Sequence, residues 1–118
     1  MGSVTLLLAF LLGLLFLSTG ALKLMVPHEQ AAVRLGWVSD LPPNRYRLAG
    51  WLEIAGGVGL MFPTMVQAID RLTALAAVGL AILMSLAAGL HVRRREWIPA
   101  IGTLALAAAL VAIAADSA

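Results

Sequence analysis

The chain has 118 residues, of which 62% are hydrophobic and 12% charged, and its formal net charge is +2. Soluble domains of this size are closer to half apolar, so the excess indicates a membrane protein. The sequence contains no cysteine, which excludes disulfides, thiolate catalysis, iron–sulfur clusters and cysteine-based zinc sites. No part of the sequence resembles a nucleic-acid-binding patch of basic residues with interleaved aromatics, so we expect no nucleic-acid partner.

Four apolar stretches are long enough to cross a bilayer, whose hydrocarbon core takes ~20 helical residues. They cover residues 4–25, 46–62, 67–90 and 97–115. The first stretch has no basic n-region and exceeds the ~7–15 residues of a signal-peptide core, so we expect it to be retained as a helix. The sequence therefore predicts an all-α polytopic membrane protein, a four-transmembrane-helix bundle that forms one domain over residues 1–118.

The segment between the first two spans, residues 27–43, is amphipathic. It opens with Pro27, a favoured first residue of a helix, and it ends at Pro42 and Pro43, which cannot continue one. Trp37 is an aromatic of the kind enriched at membrane interfaces. Two readings remain open: a short helix lying at the membrane surface, or an ordered amphiphilic loop.

A carboxylate stands in the middle of the second span, where Glu53 is surrounded by glycines in "LAGWLEIAGGVGLMFP". An ionisable group within a span is costly and usually faces the bundle interior with a partner. Gly50, Gly56 and Gly57 lie close to Glu53 on the helix, and small residues let another helix approach. We predict that Glu53 points at a neighbouring helix and that these glycines are structural.

Two further ionisable residues lie at the same predicted depth. Glu53 is six residues from Arg47, or ~9 Å along a helix, while Lys23 ends the first span and His91 ends the third. Tyr46 and Trp97 enter at a similar level. The sequence predicts a ligand-binding pocket formed by Lys23, Tyr46, Glu53, His91 and Trp97, in which Glu53 and His91 are the catalytic pair if the protein is an enzyme. A purely structural Lys23–Glu53 pair remains the alternative.

The orientation of the chain follows from its basic residues. Seven of the eight lie in or beside the first and third connections, including Arg93, Arg94 and Arg95, and only Arg71 lies in the second. Basic connections stay in the cytoplasm, so both termini are predicted to be outside. The third connection is so short that the last two spans must form an antiparallel hairpin.

Metal ligands are scarce. The two histidines are His28 and His91, and paired ligation by them is a minor alternative. We expect no metal and no cofactor of the protein's own.

Several stretches resemble the DoxX-like family of small four-helix bacterial membrane proteins. The resemblance is carried by "STGALKLMVP", by "LGW" and by "LAGWLEIAGGVGLMFP", with Lys23, Glu53 and Gly57 at the recurrent positions. It implies a multi-pass protein of the bacterial inner membrane. It also implies a membrane component of a quinone-linked redox or detoxification system, which binds a quinone and a soluble redox enzyme at its cytoplasmic face.

A second class of function stays open at this point. The polar cluster also suits a stand-alone membrane enzyme that isomerises, cyclises or opens an epoxide on a lipophilic substrate, by acid–base chemistry. The architecture is similar to that of the emopamil-binding-type sterol isomerases, an analogy of fold alone. A transporter is less favoured, because no inverted repeat is evident. The small residues of the spans also predict a homodimer within the lipid bilayer.

Overall fold

The computed structural model describes residues 2–66 and 70–117, which form six α-helices. They are α1 (Ser3–Met25), α2 (His28–Arg34), α3 (Gly36–Ser39), α4 (Pro43–Val66), α5 (Asp70–Arg93) and α6 (Trp97–Ser117). The described ranges contain no strand. The predicted all-α class is therefore confirmed.

The four long helices pack side by side in chain order. Helix α1 contacts α4, α4 contacts α5 and α5 contacts α6, while α1 and α6 meet more briefly. Side chains from all four helices share one core, among them Phe16, Leu60, Leu80 and Leu110. At one end of the bundle the backbone N–H of Gly2 donates to Asp116 Oδ2 at 3.1 Å, so the first and last helical ends lie together.

Three of the helices, within the described residues, are long and apolar enough to cross a membrane. They are Ser3–Met25, Arg71–Arg93 and Trp97–Ser117, and only 28%, 33% and 22% of their most apolar windows are buried in the protein. Large apolar side chains such as Leu75, Leu86 and Ile101 are 66–71% exposed. Such extensive outward apolar surface suits lipid rather than water. That α4 is a fourth span stays a prediction.

The bounds of two spans differ from those predicted. Helix α4 begins at Pro43, three residues before the predicted span, and continues through Pro63 to Val66. Proline is well tolerated at the first helical position, where its missing N–H would have no partner. The first three residues of the predicted third span, 67–69, lie outside the described residues. Its predicted end was residue 90, whereas α5 continues to Arg93.

Residues 27–43 are helical in two short pieces, α2 and α3, with Pro27 preceding the first. Their position at the membrane surface stays a prediction. The connection from α5 to α6 is a tight turn in which Arg95 has a left-handed backbone with φ 59°. The predicted antiparallel hairpin of α5 and α6 is confirmed.

Glycines permit the close packing of α1 on α4. A Cβ atom on Gly20 would lie 2.6 Å from the carbonyl oxygen of Gly50, and one on Gly57 would lie 2.8 Å from that of Gly13. Gly56 instead faces α5, where a Cβ would lie 2.5 Å from Leu80 Cγ. The small residues around Glu53 therefore serve two different helix interfaces.

Candidate functional site

The site is built on an ion pair between α1 and α4. Lys23 Nζ lies 2.9 Å from Glu53 Oε1 and 3.1 Å from Glu53 Oε2. Glu53 is only 3% exposed, while the Lys23 side chain is 16% exposed. The expected contact of Glu53 with a neighbouring helix, through Lys23, is confirmed. Without this partner a buried carboxylate would be strongly destabilising.

Thr19 is a second hydrogen-bond donor to the carboxylate of Glu53. Its hydroxyl donates to Glu53 Oε2 at 2.7 Å and lies 3.2 Å from the carbonyl oxygen of Phe16. Thr19 precedes Lys23 by four residues, so both project from the same face of α1. Oε2 of Glu53 thus accepts hydrogen bonds from both Thr19 and Lys23, while Oε1 is in ion-pair contact with Lys23.

Trp37 of α3 lies at the centre of an aromatic cluster beside the ion pair. Its ring centroid is 5.7 Å from Lys23 Nζ, a cation–π distance. The same ring is 6.5 Å from the ring of Tyr46 and 5.8 Å from that of His91, the latter in an edge-on arrangement. Tyr46 and His91 are buried, at 4% and 7% exposure. Trp37 therefore connects three of the predicted site residues.

The hydrogen bond of His91 goes to Glu96 rather than to Glu53. His91 Nδ1 lies 2.8 Å from Glu96 Oε1, and because a carboxylate only accepts, Nδ1 carries the hydrogen. Glu96 Oε2 is also 3.6 Å from Arg94 Nε. His91 is thus held by the turn that follows it.

Arg94 fastens that turn to α3. Its Nη1 donates to Asp40 Oδ2 at 2.6 Å. This hydrogen bond with Asp40 is the main cause that raises the pKa of Arg94, assisted by the charge of Glu96. The guanidinium also lies directly against Gly36. The first and third connections, predicted to share one side of the membrane, therefore meet at one end of the bundle.

His28 has a local structural contact. Its Nε2 lies 2.9 Å from the carbonyl oxygen of Val38 and 2.7 Å from that of Leu41, so Nε2 must carry a hydrogen and donate to them. The ring also meets Tyr46 edge-on, with centroids 5.6 Å apart. His28 thereby ties the start of α2 to the end of α3.

A cleft of about 420 Å³ opens beside the ion pair. Of the predicted pocket residues, it is Lys23 and Tyr46 that line it. The remaining lining residues are Val26, Pro27, His28, Glu29, Pro43 and Arg47. Lys23 is therefore the member of the ion pair that a molecule in the cleft would meet. A second cavity of about 380 Å³ lies between α5 and α6, where Ser85 is the one polar residue among the lining side chains.

Four of the five predicted pocket residues lie together in the structure, and the fifth lies apart from them. Lys23, Glu53, Tyr46 and His91 belong to one contact network, whereas Trp97 is 57% exposed at the start of α6. The ligand-binding and catalytic roles of all five stay predictions. Within the described residues, no cluster of three histidine, aspartate or glutamate side chains is arranged to hold a metal ion.

Sequence reasoning missed the roles of Thr19, Trp37 and Glu96. The four-residue spacing of Thr19 from Lys23 could have indicated a shared partner. Trp37 and Glu96 lie on a separate short helix and in a turn, where helical spacing gives no direction for a side chain. Their contacts depend on how the two connections meet.

The fold and its outward apolar surface define an all-helical membrane protein with a buried ion pair near one end. The chain belongs to the DoxX-like family, whose model matches residues 7–115, as the resemblance in the first two spans indicated. Comparison with curated proteins and with solved structures finds no significant match.

Proposed function

We propose that this DoxX-like membrane protein binds a lipophilic small molecule at Lys23 and acts as a membrane component of a quinone-linked redox or detoxification system. The observation that carries the proposal is a difference between Glu53 and Lys23: the carboxylate is paired within the protein, whereas the ammonium keeps a hydrogen-bond donor for another molecule. Oε2 of Glu53 accepts from Lys23 and Thr19, and Oε1 lies 2.9 Å from Lys23 Nζ. An ammonium has three N–H donors. The two oxygens of Glu53 lie on the same side of Lys23 Nζ, so the carboxylate takes one of these donors, at Oε2.

A donor of Lys23 that Glu53 does not take is the one we assign to the ligand. Lys23 lines the cleft, so a carbonyl oxygen in the cleft can accept from it. Glu53 keeps the ammonium charged and fixes its position, which makes the carboxylate an orienting group in this proposal. A hydrogen bond to a charged group contributes about 1.5–3 kcal/mol.

The walls of the cleft suit a ring with polar edges. Val26, Pro27 and Pro43 provide apolar surface, and Tyr46 provides an aromatic one. The volume of about 420 Å³ falls within the roughly 300–1,000 Å³ of small-molecule sites. A quinone combines a flat apolar ring with carbonyl acceptors, and it dissolves in the bilayer that surrounds the protein.

A soluble redox enzyme is the proposed partner, because a bound quinone needs a source or acceptor of electrons. The chain itself has no cysteine. The end that holds the cleft also holds most of the basic residues, so we place the partner there, on the cytoplasmic side. Four spans, outward termini, the bacterial inner membrane and a homodimer belong to the same proposal.

Acid–base catalysis by Glu53 and His91 is the second candidate, because both side chains are buried at the same end of the bundle. In that case Glu53→Gln would still bind the ligand but would not turn it over, and His91→Ala would be inactive. The contacts of Glu53 with Lys23 and Thr19, and of His91 with Glu96, favour binding over proton transfer.

Binding of a radiolabelled short-chain benzoquinone to the protein in nanodiscs tests the first proposal, with empty nanodiscs as background. We expect saturable binding by the natural sequence and by Arg71→Gln, an exposed change at the far end of α5. The double variant Lys23→Met, Glu53→Gln removes both charges and should bind at least about tenfold more weakly, the factor that ~1.4 kcal/mol represents. Equal binding by the double variant, or binding no greater than in empty nanodiscs, would contradict the proposal.

A further inference from the structure

The side chains of five exposed arginines have no hydrogen-bond or ion-pair partner within the described residues. They are Arg34, Arg45, Arg47, Arg93 and Arg95, which we call the arginine face. Arg94 differs, because it is held by Asp40 and Glu96. The middle residue of the triple arginine is therefore a structural contact, whereas its two neighbours are available to another molecule.

All five lie at one end of the bundle. Arg45 and Arg47 are in the first turn or so of α4, Arg93 ends α5 and Arg95 follows it, while Arg34 ends α2. The Asp40–Arg94 hydrogen bond joins the segment containing Arg34 to the turn containing Arg95. By sequence, this end carries seven basic and four acidic residues, and the opposite end one basic and two acidic.

The arginine face borders the apolar surface of the protein. Arg34 lies between Val33 and Leu35, which are 87% and 47% exposed. Arg47 precedes by one helical turn the 57% exposed Trp51, so the two share a face of α4.

The hairpin of α5 and α6 repeats this arrangement. Arg93 follows Val92, which is 42% exposed, and Arg95 is followed by Trp97 and Ile98, which are 57% and 85% exposed. An arginine next to outward apolar and tryptophan side chains lies at the boundary between hydrocarbon and water.

We propose that the arginine face binds the phosphate groups of anionic phospholipids. The planar guanidinium donates two parallel hydrogen bonds that match a phosphate, and every free cation at this end is an arginine. The adjoining apolar side chains contact the acyl chains of the same lipids. An acidic soluble protein would match the charge, but it would leave Val33, Trp51 and Ile98 in water.

This inference does not depend on the proposed ligand at Lys23. Arg47 lines the cleft, so the test omits it and uses the other four arginines. The quadruple variant Arg34→Gln, Arg45→Gln, Arg93→Gln, Arg95→Gln leaves the Lys23–Glu53 pair and the Arg94–Asp40 pair in place. Failure of lipid binding and failure of quinone binding are therefore separate outcomes.

The experiment places the protein in nanodiscs of phosphatidylglycerol and phosphatidylcholine, extracts it gently, and measures the retained lipids by mass spectrometry. We expect phosphatidylglycerol to be enriched about fivefold over the bulk ratio, the factor that a single basic residue gives at an anionic surface. Arg71→Gln, at the far end of α5, should keep the enrichment. The quadruple variant, which keeps Arg47, should lose most of this enrichment.

Thermal unfolding must show that the quadruple variant is folded, which we expect because its four side chains are exposed and make no hydrogen bond or ion pair within the described residues. Should it fail to fold, the pair Arg45→Gln, Arg93→Gln serves instead, and its enrichment should be reduced. Retention of lipids in the bulk ratio by the natural sequence would overturn the proposal. So would unchanged enrichment in the quadruple variant, or salt-sensitive capture of an acidic soluble protein without lipid enrichment.

Discussion

Lys23 of α1 and Glu53 of α4 form an ion pair across the interface of the two helices, with 2.9 Å between Nζ and Oε1. Directly beside them, Gly20 and Gly50 let the two backbones approach so closely that a Cβ on Gly20 would lie 2.6 Å from the Gly50 carbonyl oxygen. The short approach brings the lysine within reach of the carboxylate, and the ion pair satisfies two groups that the approach buries. Packing and charge are thus coupled at this crossing.

The first prediction concerns the stability of this pair. Glu53→Gln leaves the Lys23 ammonium without its counter-charge, so we expect a loss of about 3 kcal/mol in the free energy of unfolding. Adding Lys23→Met removes the stranded charge and should recover most of that loss. Unfolding of the two variants in the same detergent micelles, followed by circular dichroism, measures both values.

The matched control is Lys23→Met alone, which strands the carboxylate instead and should also be destabilised. If all three variants were as stable as the natural sequence, the pair would contribute nothing to the α1–α4 contact. A double variant less stable than either single variant would show that each side chain acts through packing rather than charge.

The second prediction tests the glycine contact. Gly20→Ala puts a methyl group against the backbone of α4, which cannot move aside as a side chain could, so we expect about 1–3 kcal/mol of destabilisation. Gly79→Ala is the control, because a Cβ there would meet nothing within 4 Å. Alanine is the better helix former, so Gly79→Ala should be neutral or slightly stabilising. Equal melting temperatures for the two variants would contradict the packing described here.

The third prediction concerns the fastening of α3. Arg94→Gln removes the donor to Asp40, and we expect backbone amides of residues 34–41 to exchange hydrogen faster while the core of α5 is unaffected. Arg95→Gln, in the same turn but without a partner among the described residues, is the control. Since the pKa of Arg94 is raised above an already high value, its charge persists at ordinary pH, and salt rather than pH should weaken the contact. Unchanged exchange in Arg94→Gln would refute this role.

Sequence alone placed the long helices well because a span needs a long apolar run, and such runs are visible without a structure. Glu53 and Lys23 were paired correctly for a similar reason: a charge inside a span requires a partner, and few residues at that depth can serve. The helix ends were less accurate. Pro43 was taken to end a segment, whereas it begins α4.

The surroundings of the pair could not be deduced in the same way. Trp37 contacts Lys23, Tyr46 and His91 only because α3 folds back over the helix ends. Glu96 reaches His91 across a turn, and Trp97, which shares the predicted depth, points outward. Depth is encoded in distance along the chain, but direction around a helix axis depends on the packing of all its neighbours.

The last prediction tests orientation and the fourth span together, using single cysteines in a chain that has none. Ser3 is the first residue of α1 and Ser39 is the last residue of α3, and both are exposed. A membrane-impermeant maleimide should label Ser39→Cys only from the cytoplasmic side and Ser3→Cys only from outside, because the basic connections stay in the cytoplasm. A cysteine at position 67, between α4 and α5, should be labelled from outside. Labelling of positions 39 and 67 from the same side would mean that α4 does not cross, and exchange of sides for all three would mean that the bundle is inverted.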